Sequence, residues 1–102
     1  MNERLTMKIA YSTIAGAKTR ILSNIKREYW GEILSGYLQL QMGKGKDETP
    51  TEVRDEYEII IQIDIEDDDT YYSKHNCGNK GLRDGILMDV LAHIATGDVV
   101  EE

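Results

Sequence analysis

Cysteine occurs once, at Cys77, so an internal disulfide and a multi-thiolate zinc site are both excluded. Two histidines, His75 and His93, are too few for a His-rich metal site, and no metal or cofactor is expected. No stretch approaches the ~20 consecutive apolar residues that span a bilayer, so no membrane association is expected. The opening Met1-Asn2-Glu3-Arg4-Leu5 lacks the apolar run of a signal peptide, and a cytoplasmic location is the expectation. Internal repeats and heptads are absent as well. The only proline, Pro50, falls in a stretch that also holds Gly43 and Gly45, and residues 43–55 are expected to form a flexible loop.

What is present is charge, and it is segregated. The chain has 102 residues and a formal net charge of −7. Its length suits a single domain, residues 1–102, with one modest core. Residues 1–46 carry eight Lys/Arg against three Asp/Glu, and residues 47–69 carry one against eleven. Residues 70–102 carry three against five and finish in a short acidic tail, residues 98–102. Such a layout steers charged partners over about a Debye length, ~8 Å in cells. The plainer reading is that the acids keep a small protein in solution.

The most clearly specified stretch is Tyr57 to Asp69. Tyr57, Ile59, Ile61, Ile63 and Ile65 alternate with Glu58, Ile60, Gln62, Asp64 and Glu66. Period two in β-branched and aromatic types reads as a strand with one face on a core and one in water. Upstream, Leu5, Met7, Ile9 and Tyr11 suggest a short first strand. Ser12 or Thr13 then caps an expected helix over about 13–29, with Ile14, Ala17, Ile21, Leu22, Ile25 and Tyr29 at helical spacing. Leu34, Gly36, Leu38, Leu40 and Met42 alternate and read as another strand. Residues 70–75 read as a return strand. Leu82, Ile86, Leu87, Val90, Leu91 and Ile94 make the apolar face of a second helix, with Gly97 as its stop.

The expected fold is therefore α+β: a small antiparallel sheet of three to four strands, two helices packed on one face, in the order (β)-α-β-β-β-α. On the other face Ile33, Tyr37 and Ile60 are expected to leave a partly apolar surface. That surface, together with the opposed charges of the chain's segments, suggests a homo-oligomer.

Two constellations bear on function. In the first, Glu58, Asp64, Glu66, Asp67, Asp68 and Asp69 form a row of carboxylates. Alternate strand residues are about 6.5–7 Å apart, close to phosphate spacing along a nucleic-acid strand. Such a row suits a basic groove, with Ile60 as an apolar anchor. By analogy of size and charge with small phage-borne DNA mimics, this suggests a non-enzymatic acidic inhibitor of a basic nucleic-acid-binding protein. The run lacks the alternating ligands and mid-loop glycine of a calcium loop. It also lacks the pocket that paired catalytic carboxylates need.

The second constellation is His75, Asn76, Gly78, Lys80, Gly81 and Arg83, at a helix N-terminus where free N–H groups favour an anion. It suggests, as an alternative, a binding module for a small phosphorylated ligand. The spacing fits neither the P-loop nor the dinucleotide fingerprint. The plainer reading is a capping turn with Arg83 paired to a carboxylate, since Arg83 falls within the apolar arc. His75 and Cys77 share a spacing that a thiolate–histidine pair could use, but a lone structural cysteine is far commoner. With only Arg20, Lys26 and Arg27 on the first expected helix, direct nucleic-acid binding is not expected. A third reading is a structural subunit of an oligomeric assembly.

Overall fold

The computed structural model describes residues 4–43, 58–66 and 70–102. The described chain runs β1 (Leu5–Ser12), β2 (Thr19–Ser23), a single 3-10 turn (Arg27–Tyr29), α1 (Trp30–Gly43), β3 (Glu58–Ile65), β4 (Tyr71–His75), α2 (Lys80–Thr96) and β5 (Val99–Glu101). The strands form one five-stranded sheet in the order β4-β3-β1-β2-β5. The α+β class stands, with a mixed sheet in place of a three- to four-stranded antiparallel one. Most of the loop expected at 43–55, and the acids Asp67, Asp68 and Asp69, lie outside the described residues.

β1 is the central strand. It pairs antiparallel with β3 along its whole length, from Leu5 opposite Ile65 to Ser12 opposite Glu58, and with β2 from Met7 opposite Ser23. β4 continues the sheet beyond β3, with Ile61 opposite His75 and Ile65 opposite Tyr71. The expected acidic tail is instead a strand: Val99 is buried, and β5 runs parallel to β2. Parallel strands need a crossover, and the last leg of it is α2.

Two expected elements exchange their types. Residues 13–29 do not form the expected α-helix, and only Arg27–Tyr29 makes a 3-10 turn. Ser12 Oγ accepts from the Ile14 N–H at 3.1 Å, which caps a turn, and Gly16 sits at φ +87°. The chain then re-enters the sheet as β2, with Thr19 and Ile21 buried and Leu22 turned to the opposite side. Of the apolar residues that fit a helical wheel, Ile21 and Leu22 thus lie on opposite faces of a strand, and Ile14, Ala17, Ile25 and Tyr29 lie outside it. Residues 30–43 are not a strand. Trp30, Leu34 and Tyr37 are buried at helical spacing, one turn apart, and Ile33 and Leu38 pack beside them. Leu, Gln, Met and Glu are good helix formers, and no β-branched run opposes them. Ile33 and Tyr37 therefore belong to the helical layer, not to the open side of the sheet.

α2 has both ends specified locally. Asn79 Oδ1 accepts from the Leu82 N–H at 2.8 Å. Gly97, at φ +75°, closes the other end in the left-handed conformation, with the Asp98 N–H on the His93 carbonyl at 2.7 Å. That turn delivers Val99 to the sheet. The core joins Met7, Ile9, Ile21, Ile61, Ile63 and Val99 of the sheet to Trp30, Leu34 and Tyr37 of α1 and Ile86, Leu87 and Val90 of α2. Both helices lie on that one side, and among the described residues no element covers the other.

Candidate functional site

The uncovered face carries the alternate residues of every strand: Thr6, Lys8 and Ala10 of β1, Arg20 and Leu22 of β2, Glu58, Ile60, Gln62 and Asp64 of β3, Tyr72 and Lys74 of β4, and Val100 of β5. Leu22 is 52% exposed and Val100 42%. Two depressions share Lys8 and Leu22. One, of about 350 Å³, is lined by Thr6, Lys8, Leu22, Ser23, Asn24 and Gln62. The other, of about 160 Å³, is lined by Ala10, Arg20, Glu58, Ile60 and Glu102 besides the shared pair.

The strand placement of the expected acids is as the alternation implied, but their electrostatics differ. Glu58 accepts from Arg20 Nη2, and Arg20 Nη1 is 3.5 Å from Glu102. Asp64 is only 5% exposed; it lies 3.7 Å from Arg4 and accepts from Gln62 Nε2 at 3.1 Å. Glu66 is 4.0 Å from the same Arg4. The chain's own arginines thus hold Glu58, Asp64 and Glu66. Ile60 is half-buried in their midst. The described residues hold nine Lys/Arg and ten Asp/Glu, so the surplus of negative charge belongs to the segments outside them.

The second expected constellation divides. Asn76 works as an extension of the sheet: its Oδ1 accepts from the Ile60 N–H at 2.9 Å and its Nδ2 donates to the Glu58 carbonyl at 3.3 Å. Gly78 makes the following turn at φ +87°. Lys80 and Gly81 open α2 on the surface. Arg83, by contrast, is 0% exposed. Its guanidinium donates to Asp84 Oδ1 through Nε at 2.9 Å and Nη2 at 2.8 Å, and its Cζ lies 5.3 Å from the Tyr37 ring centroid. Ser73 Oγ accepts from Tyr37 at 2.7 Å and from Arg83 Nη1 at 3.5 Å. The arginine in the apolar arc is therefore satisfied from within, by the next residue along its own helix, and binds α1, α2 and β4 together. Its guanidinium is not on the surface that Lys80 and Gly81 present.

His75 is buried, and its Nδ1 accepts from the Cys77 N–H at 3.2 Å. That bond commits Nδ1 to an acceptor role. Burial pushes the Cys77 thiol up to about 11, against a weaker downward pull from Arg83. A thiolate nucleophile needs a shift in the other direction. Among the described residues no three His, Cys, Asp or Glu side chains are grouped to hold a metal ion, and no helix is long and apolar enough to cross a membrane.

Comparison with protein-family models, with curated proteins and with solved structures finds no match. What fold and face define is a class of small α+β domain with one helical layer and one open sheet face. The residues that sequence reasoning missed on that face are Arg4, Lys8, Arg20, Leu22, Lys74 and Val100. Their signal was present: Lys8 sits between Met7 and Ile9, and Arg20 and Leu22 alternate with Thr19 and Ile21.

Proposed function

We propose that this protein is a non-enzymatic protein–protein interaction module that engages its partner through the open face of the sheet. The observation that carries this reading is that face itself, which no described element covers and on which Leu22 and Val100 stay half-exposed among polar neighbours. Contiguous apolar area rimmed by polar groups marks an interaction site more often than an isolated exposed leucine does. The test is affinity capture with the native chain and two variants. Leu22→Asp places a charge on the open face, beside Lys8, and is expected to abolish capture of the specific partner. Met88→Asp places one on the exposed side of α2, where Met88 is 63% exposed, and is expected to leave capture intact. The reverse pattern overturns the reading.

A narrower form is the acidic inhibitor that occupies a basic nucleic-acid-binding groove. Its support is the net charge of −7 and the run Asp67 to Asp69, since Glu58, Asp64 and Glu66 already have arginine partners. In that form, reversing Asp67, Asp68 and Asp69 to lysine abolishes binding, and affinity falls steeply with salt. Binding that survives both argues for the broader reading alone. A dimer formed through the same face shows as a mass that rises with concentration and is lost in Leu22→Asp.

A further inference from the structure

The paired acids leave a remainder on the open face. Lys8 of β1 and Lys74 of β4 stand in one cross-strand row with Gln62 of β3 between them. Adjacent strands lie ~4.8 Å apart, which separates the two lysine Cα atoms by about 10 Å. Both lysines are exposed, and among the described residues neither is ion-paired with a carboxylate. Meanwhile Glu58 and Glu102 share Arg20, and Asp64 and Glu66 share Arg4. Each of those two clusters carries one more acid than base. The face is thus a basic row between two acidic corners, although the protein as a whole is acidic. The row also borders the depression of about 350 Å³, where Leu22 supplies an apolar wall.

We propose that the Lys8–Gln62–Lys74 row and the Leu22 depression bind an acidic protein segment carrying one apolar side chain. This rests on the open face being the recognition surface, and it names the partner's chemistry. Two carboxylates of the segment accept from the lysine Nζ groups, and the apolar side chain seats against Leu22. Gln62 donates through Nε2 to Asp64, which leaves its carbonyl oxygen as an acceptor for a backbone N–H of the segment. The acidic corners set the register, because a segment that slides toward either one meets like charge. They also favour a short acidic segment over nucleic acid: a polyanion longer than the row runs into a corner, and two lysines release few counterions.

The test is a titration of the full chain, labelled with 15N, at ~0.15 M salt, where the Debye length of about 8 Å screens the distant acids. The probes are a short alternating Leu/Glu peptide, its Leu/Lys counterpart and single-stranded DNA of matching length. The Leu/Glu peptide is expected to shift the amides of Lys8, Leu22, Gln62 and Lys74, and the other two are not. The pair Lys8→Glu and Lys74→Glu is expected to weaken binding about tenfold or more, that is, by about 1.4 kcal/mol. Lys8→Gln with Lys74→Gln serves if the reversal disturbs the spectrum elsewhere. No shift with Leu/Glu, equal shifts with DNA, or shifts untouched by the lysine variants each overturn the proposal. So does self-association that moves the same amides without any probe. The native partner separates the two levels. If Leu22→Asp abolishes capture while the lysine pair does not, the open face stands and the acidic segment falls. If neither variant affects capture, both fall.

Discussion

Arg83 shows how a single residue can suggest a ligand site and turn out to hold the core. A charged group with no water contact persists only if its donors are satisfied, and Asp84, Ser73 and the Tyr37 ring do that here. Arg83→Ala removes those bonds and leaves a void between the helices and β4, so it is expected to cost about 2–4 kcal/mol in urea unfolding. Arg83→Met keeps most of the volume and is expected to cost less. Equal stability of Arg83→Ala and the native chain contradicts the assignment. Cys77 gives a second residue-scale prediction. With its thiol raised from 9.0 to about 11, the thiolate fraction near pH 8 is ~100-fold below that of the unfolded chain. Reaction with a disulfide reagent is expected to be slower in the native protein than in the unfolded chain, the lower thiolate fraction and the burial of Cys77 outweighing the greater nucleophilicity of a more basic thiolate. The same shift makes a linkage prediction. A raised folded-state value contributes stability that is fully present below pH 9.0 and is lost as pH rises toward 11. Cys77→Ala is expected to remove that part of the alkaline loss, read from urea midpoints on either side of the window.

The elements differ in how far their ends and types were legible. β3 and α2 were legible because every local signal agreed. The isoleucines alternate, Asn79 caps, Gly97 stops, and the packing asks for the same thing. Residues 13–23 and 30–43 were not, because their apolar residues satisfy two periods at once. Leu34 and Leu38 recur at four, which a helix needs, and with Leu40 they also recur at two. Ile21 and Leu22 fit one helical arc although the strand sends them to opposite sides. Burial settles such cases, and burial depends on neighbours far along the chain: Ile21 is inside because β1 lies beside β2. β5 escaped notice for a related reason, since a three-residue strand is specified by its partner rather than by its own pattern. Two glycines of α2 test its ends against its interior. A Cβ at Gly85 meets nothing within 4 Å, so Gly85→Ala is expected to stabilise by about 0.5–1 kcal/mol. Gly97 has φ +75°, so Gly97→Ala is expected to destabilise by about 1 kcal/mol. Opposite signs in thermal unfolding check both; like signs contradict the capping geometry.

For the whole molecule, the balance of charge changes the picture that the sequence total paints. The total of −7 is a property of the chain, whereas the described body is close to neutral. The acidic face of β3 was legible as a row of residues. Its neutralisation was not, because Arg20 reaches Glu58 only across β1, and Arg4, just before β1, reaches Asp64 only through the pairing of β1 with β3. The same pairing assembles Lys8, Gln62 and Lys74 from three separate stretches of sequence. The proposed function places the partner on that open face. The most direct measurement is an amide-shift map of the labelled chain with its captured partner. Shifts are expected to concentrate on Thr6, Lys8, Leu22, Gln62 and Lys74, with Leu38, Met88 and Leu91 of the helical layer unmoved. A map confined to α1 and α2 contradicts that placement.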